Sequence, residues 1–594
     1  NYITIIMSAI VSSLDKSASY NYGENGHVQH AWDYKTLSEE KVTQFYFQLI
    51  RCDDHSELEK VLNGFLRATY NFNLASDEEK ARFWRKVLYK IYMNTRDVYG
   101  KGEYSLAFMM ILCWYNNTYN EKNKLNIYTT KMIEQLVYLR DKKNVEIHPL
   151  GRWADIKYLC NYVKEKTNNK DHPIIMYCLE MCKSQYEQDM VMLNENDNKC
   201  SLFGKWMPRE KSKKFGWIFK KYVRFYHMKS RPEFYRNYEK AAKDFRQNLS
   251  KLNKKIQTTE VYMCNKDGGY SSIQYNRVPT QCMRKNKMAF INKDKSGNQR
   301  SDKPDRVKGA ENFMTHMENV RLNKGNAKVH GKRCHPFELV KEAVKYNCNV
   351  QRNLSEGDSD FAIRTSINAQ WKDNSKDTGC LKNVIPMVDT SGSMECDESL
   401  PLYNSIALGI RVAQKNSETF ANRILTFESE PRWIMLDENN DFVETVNKVR
   451  NIPWGGSTNF KMALDMILHA IVSNRVPPNE VENMVLAIFS DMQFDYNIDA
   501  GWNSQYENLR EQFAQAGLNS VYKKPYNVPH ILFWNLRKTN GFPSLSSEKN
   551  VTMLSGYSPT LINTFCEKGF DELKNVNGFD QLMEILKNER YDEA

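Results

Sequence analysis

Residues 383–394, "NVIPMVDTSGSM", set one carboxylate and two hydroxyls, Asp389, Ser391 and Ser393, directly after an apolar run. Oxygen donors grouped this closely are what hard divalent cations bind: Mg²⁺ takes octahedral oxygens at about 2.1 Å and usually keeps several waters. One carboxylate and two neutral hydroxyls leave such an ion under-neutralised, so it would draw another carboxylate from elsewhere in the chain or from a partner. Two later segments offer further oxygens. "NIPWGGSTNF" presents Thr458 in a glycine-rich loop before a helix, and "MVLAIFSDMQFD" places Asp491 at the end of a second apolar run. Asp389, Ser391, Ser393, Thr458 and Asp491 are therefore the expected metal ligands, with Mg²⁺ or another divalent cation as cofactor. The simpler alternative is that Asp389 and Ser391 only cap the helix that follows.

A site of this kind needs elements that bring three distant segments together. Apolar strand patterns occur at 384–388, 423–427, 484–489 and 530–534, separated by helical patterns at 402–414, 442–450 and 460–471. Such alternation implies a mostly parallel sheet covered on both faces, where ligands gather beyond the carboxyl ends of the strands. Asp389 and Asp491 both fall at such ends.

The first half reads differently. "SEEKVTQFYFQLI" carries Val42, Phe45, Tyr46 and Leu49 at helical spacing. "SDEEKARFWRKVLYKIY" opens with Ser76 and Glu79 spaced as a capping box and continues with Phe83, Trp84, Val87, Leu88 and Ile91. Helix follows helix through residue 200, as in an α-solenoid or bundle, without a strict sequence repeat. The expected organisation is an N-terminal segment 1–37, a helical-repeat region 38–350 with a basic segment at 205–333, a polar linker 351–380, and an α/β domain 381–594. "NYITIIMSAIVSSL" lacks a basic n-region, and Met7 is a potential start.

At 594 residues, with 41% hydrophobic and 26% charged residues, the composition is that of globular domains, and no apolar run approaches the length of a spanning helix, so no membrane is expected. The 13 cysteines follow no disulfide-framework spacing, which favours a reducing compartment; Cys178 and Cys182, one helical turn apart, read as buried packing. The net charge of +12 is concentrated: residues 205–333 hold 33 Lys and Arg against 11 Asp and Glu, a footprint suited to a polyanion. Lys213, Lys214, Lys220, Lys221, Arg224, Lys229 and Arg231 could neutralise phosphates, with Trp217, Phe219 or Tyr226 offering stacking faces. The alternative is one amphipathic helix with its aromatics buried and its cations wet.

The loop with Asp389, Ser391 and Ser393, followed by Thr458 and Asp491, resembles the metal-ion-dependent adhesion site of the von Willebrand factor A domain. That resemblance implies that Asp389, Ser391, Ser393 and Thr458 hold Mg²⁺ directly or through water, with Asp491 mainly behind them. It departs at Met492, where many members have Gly. Over nearly the whole chain, "TRDVYGKGEYSLAF", "GRWADIKYL", "KWMPRE", "NRVPTQCM" and "HPFELVKEAV" are similar to recurring segments of the Ro autoantigen (TROVE) family, most closely its uncharacterised plant, fungal and giant-virus relatives. The implied fold class is α plus α/β: a HEAT-like helical-repeat region followed by a doubly wound von Willebrand factor A domain. The implied precedent is binding of RNA on the helical region.

No Cys/His or Ser/His pairing is marked by context. An aspartyl-nucleophile phosphatase would need a second carboxylate where Ser391 stands, and His335 before Pro336 reads as structural, so no enzyme is expected. The expected function is a non-enzymatic, cytoplasmic RNA-binding scaffold with a Mg²⁺-dependent adhesion site. The alternative is a protein-interaction or virion-assembly component that captures a partner's Asp or Glu through the metal, without RNA.

Overall fold

In a computed structural model of the chain, the described residues are 20–592 except 25, 27, 32–36, 71–77, 118–124, 196–199, 231–232, 234–236, 266–267, 295, 353–357, 377, 417–418, 428–430, 453–459, 494–504, 540, 544–549 and 559–576. The chain packs as two compact units. One comprises residues 1–91, 99–102 and 331–588, the other 92–98, 103–330 and 589–594. The region read as helical from 38 to 350 is thus divided between them.

In chain order the strands are β1 (Tyr20–Tyr22), β2 (Val28–Ala31), β3 (Leu139–Arg140), β4 (Glu146–Ile147), β5 (Val384–Asp389), β6 (Arg423–Phe427), β7 (Trp433–Met435), β8 (Val485–Ser490), β9 (His530–Asn535), β10 (Gly541–Phe542) and β11 (Val551–Ser555). Six of them form one sheet in the order β11-β9-β8-β5-β6-β7, parallel except for β7. The chain order reverses between β5 and β8, and in open α/β sheets a crevice forms at such a switch point, beyond the carboxyl ends.

Period-two alternation explains why these strands read as continuous apolar runs. Val384, Val388, Val485, Phe489, Leu532 and Trp534 enter the core under helices Cys396–Lys415 and Phe442–Arg450. Ile385, Met387, Leu486, Ile488, Ile531 and Phe533 enter the opposite core with Ala463, Leu464 and Phe513. Burial on both faces leaves no polar side to alternate with. Helix Cys396–Lys415 lies close over β5. A Cβ on Gly409 would stand 2.2 Å from Val388 Cγ2, and the Ser405 hydroxyl donates to the Phe489 carbonyl at 2.9 Å.

The stretch expected as a polar linker, 351–380, contains the helix Asp358–Asn374. Its apolar residues Ile363, Ile367 and Trp371 recur every fourth position, a stripe thinned by the Ser, Asn and Asp around it. Trp371 stacks on Phe442 with centroids 4.0 Å apart, and the buried Arg411 lies over the Trp371 ring at 4.2 Å while donating to the Asn374 carbonyl. Those contacts bind the helix to the sheet unit rather than leave it as a spacer. Helix Glu39–Phe47, capped by Ser38, also belongs to this unit, and Phe47 packs on Phe542. Lys101, from "TRDVYGKGEY", is fully buried, with its ammonium donating to the Tyr46 and Leu49 carbonyls at 2.6 and 3.0 Å and to the Ser555 hydroxyl at 2.5 Å. On helix Glu78–Arg96, Trp84, Val87, Leu88 and Ile91 are buried, but Phe83 is exposed; Ser76 lies outside the described residues.

The other unit is helical, with Tyr104–Asn117, Trp153–Thr167, Pro173–Asn194 and Tyr238–Ile256 among its longer members. Cys178 and Cys182 are buried; a hydrogen bond with Cys160 and then burial push the Cys178 thiol up, and burial pushes up that of Cys182. Tyr186, Tyr222 and Phe245 pack ring against ring, Tyr222 and Phe245 with centroids 4.8 Å apart. Among the described residues no helix is long and apolar enough to cross a membrane.

The close approach at Gly409 yields an expectation. Gly409→Ala forces Val388 or the helix aside and should lower stability by about 1–3 kcal/mol. Urea unfolding of the full chain measures this, and an unchanged midpoint would show that the helix does not sit tightly on β5.

Candidate functional site

Asp389 is the last residue of β5, fully buried, in register beside the end of β8. Its two oxygens are both held: Oδ1 accepts the Ser391 N–H at 2.9 Å, and Oδ2 accepts the Ser490 hydroxyl at 2.5 Å. The chain then turns so that the Ser391 and Ser393 hydroxyls lie 3.1 Å apart. Directly downstream, Asp397, Glu398 and Ser399 all have left-handed φ, at 49°, 60° and 61°. Three consecutive non-glycine residues in that region cost roughly 1–2 kcal/mol each. The strain marks a kink in the first turn of helix Cys396–Lys415, directly after the Asp389 loop.

Asp491 follows β8 and is also fully buried. Its Oδ1 accepts the Gln493 N–H at 3.2 Å, whereas Oδ2 meets no hydrogen-bond donor among the described residues. Arg537 Nη2 stands 3.1 Å from that oxygen, an ion contact out of line for a hydrogen bond. Burial, then the Asp491 charge, raises the Asp389 carboxyl to about 7. Burial also raises Asp491, with Arg537, the Gln493 N–H and the Ser393 hydroxyl pulling the other way. Met492, which departs from the expected glycine, adopts φ 63°, and its N–H donates to Ser490 Oγ at 3.0 Å. The loop thus keeps a glycine-like turn with a methionine whose side chain is buried.

The structure brings Asp389, Ser391, Ser393 and Asp491 together; Thr458 lies outside the described residues. Two buried carboxylates, both pushed up by burial and Asp389 further by the Asp491 charge, one with an oxygen lacking a donor among the described residues, beside paired hydroxyls, form a donor set that fits a hard cation. Among the described residues no group of three or more His, Cys, Asp or Glu is placed to hold a metal ion, so this donor set counts on its hydroxyls beside two carboxylates.

Several residues here were not anticipated. Ser490 precedes Asp491 and ends the same strand, and the rule that adjacent parallel strands finish at one edge could have found it. The same rule points beyond β9 to Arg537. Glu24 has no such signal: hairpin β1-β2 pairs with β10, which carries it to Arg537 at 2.5 Å and lets its N–H donate to Gln493 Oε1 at 2.7 Å.

The basic segment divides in two. Lys213, Lys214, Lys220, Arg224 and Lys229 are exposed. Lys221 is buried and paired with Asp171, and Phe219 is core. Trp217 is half-buried beneath Lys164, Tyr226 is half-buried, and Arg231 lies outside the described residues. A denser cationic and aromatic cluster stands on "GRWADIKYL" and "KWMPRE": Trp206 faces Arg152, Lys157 and Lys205 at 5.4, 4.9 and 5.7 Å. Lys157 has no ion-pair partner among the described residues, and burial, with Arg152 nearby, lowers its ammonium. Helical spacing alone could not show this, because the cluster joins two segments about 50 residues apart.

A family model described as a domain of unknown function, DUF7788, matches residues 383–593, and another such domain, DUF2828, matches residues 161–379. The chain is similar to the uncharacterized protein L728 of Acanthamoeba polyphaga mimivirus, 28% identical over 531 residues, which is 87% of this chain and 81% of that protein. Among solved structures, the Ro (RSR) protein of Deinococcus radiodurans superposes with a TM-score of 0.31 at 11% identity, covering 78% of this chain and 92% of that one. At that score the likeness carries no argument.

The paired carboxylates predict a pH effect. Without metal, folded Asp389 keeps its proton up to about 7, whereas the unfolded chain releases it near the ordinary 3.8. The folded state therefore binds more protons between these values, and this group makes stability fall as pH rises through that window. In EDTA, melting temperatures at about pH 5 and about pH 7.5 should differ less for Asp389→Asn than for the wild type. Equal differences would contradict the buried-pair electrostatics.

Proposed function

We propose that the protein is a non-enzymatic scaffold that captures a carboxylate through a divalent cation on the sheet unit and binds RNA on the helical unit. The first half rests on one observation: Asp389, Ser391, Ser393 and Asp491 converge at adjacent strand ends, with Asp491 Oδ2 lacking a donor among the described residues. The strand order and the antiparallel β7 support reading this unit as von Willebrand factor A-like. Asp389, Ser391 and Ser393 would hold Mg²⁺, with Thr458 completing the set and Asp491 behind. When bound, the cation supplies an outward coordination position for a partner's Asp or Glu. The chain's own residues fix the donors, bury them from water and carry the negative charge that retains a cation.

The RNA half, on a HEAT-like reading of the helices, rests on the excess of cations in 205–333 and on Trp206 among Arg152, Lys157 and Lys205. Cations over aromatic faces suit single strands, whose phosphates need neutralising and whose bases stack. One observation favours the second reading, protein assembly without RNA in the cytoplasm or a virion: Lys221 and Phe219 are engaged internally, which removes part of the basic segment.

The two readings separate experimentally. Affinity for a single-stranded RNA should fall steeply between about 50 and 200 mM salt. Trp206→Ala should weaken it by roughly tenfold, a loss in the range of one stacked base, while Asp389→Ala leaves it unchanged. A flat salt response measured by anisotropy would reject RNA. Retention of a glutamate-rich peptide should require Mg²⁺ and Asp389, and equal retention in EDTA would reject carboxylate capture.

A further inference from the structure

Arg537 is the one cationic side chain that the structure sets against Asp491 among the described residues. The same Nη2 that stands 3.1 Å from the buried Oδ2 also reaches Glu24 Oε2 at 2.5 Å, and that carboxylate is 61% exposed. One guanidinium edge is therefore shared between a buried acid and a surface acid. The Asp491 side of this sharing is poor, because the approach does not make a hydrogen bond and Arg537 Nε, also buried, has no acceptor among the described residues. The Glu24 side is anchored twice, since the same residue's N–H is held by Gln493, whose own N–H binds Asp491.

We infer that Arg537 is a resident counter-cation that neutralises Asp491 when no divalent cation is bound, and that Glu24 holds it when one arrives. The inference rests on the metal reading of this site and deepens it. A buried carboxylate without a counter-charge is costly, so the metal-free fold needs a cation near Asp491. A divalent cation beside Asp389 and Asp491 and a guanidinium 3.1 Å from Asp491 are like charges competing for the same oxygens. Glu24 offers the guanidinium an alternative partner within reach, which lowers the cost of yielding Asp491. Arg537 is on this account a positioning residue that sets cation affinity rather than a ligand.

The test uses the full chain, Mn²⁺ alone as probe, and melting temperatures in EDTA and in millimolar Mg²⁺. Arg537→Gln should melt below the wild type in EDTA, regain most of that loss in Mg²⁺, and bind Mn²⁺ about tenfold more tightly by calorimetry. Glu24→Gln should bind Mn²⁺ several-fold more weakly, since Arg537 then rests on Asp491 alone. Arg537→Lys keeps the charge and should stay within about twofold of the wild type. The proposal is overturned if Arg537→Gln loses the same stability with and without Mg²⁺, if its Mn²⁺ affinity is unchanged, or if it fails to fold even in Mg²⁺. Asp389→Ala separates the two levels: undiminished Mn²⁺ binding in that variant rejects the metal site itself, whatever Arg537 does.

Discussion

Two carboxylates, Asp389 and Asp491, are buried beside each other at the ends of neighbouring parallel strands. Like charges in a dry site repel, and each loses the hydration that would make its charge tolerable. The surrounding residues answer that problem. Ser490, the Ser391 N–H and the Gln493 N–H spend their hydrogen bonds on these oxygens, and Arg537 approaches from one side. What these groups leave uncompensated, an Asp491 oxygen with no hydrogen-bond donor among the described residues, is the ground for proposing a divalent cation here.

The sheet makes this arrangement possible. Because β5 and β8 are parallel neighbours at the point where strand order reverses, their carboxyl ends emerge side by side without a helix between them. Helix Cys396–Lys415 seats on β5 at Gly409, which fixes the loop between them in length and direction. The kinked first turn of that helix bears three left-handed residues, 397–399, and the β8 loop bears Met492 in the same conformation. Strain at both places lies next to the same pair of acids, and the buried packing on both faces of the sheet offsets it.

Much of this was legible in the sequence, for physical reasons that also mark where legibility ended. The core strands declared themselves because burial on both faces demands unbroken apolar runs, and Asp389 and Asp491 stood out as the first charges after such runs. Helix Asp358–Asn374 was hidden because its stripe is narrow and its neighbours polar. Glu24 and Arg537 were invisible for another reason: their meeting depends on hairpin β1-β2 pairing with β10 more than 500 residues away, and pairing between distant segments leaves no trace in local periodicity. The Trp206 cluster was missed similarly, two of its cations, Arg152 and Lys157, arriving from the start of helix Trp153–Thr167.

The central claim is that oxygens from separate segments enclose a hard cation at the switch point. Anomalous diffraction from crystals grown with Mn²⁺ tests it most directly. The account predicts one strong peak within about 2.3 Å of the Ser391 and Ser393 hydroxyl oxygens, on the Asp389 side of the site with Asp491 behind it. No peak there at saturating Mn²⁺, with Arg537 still against Asp491, would contradict it.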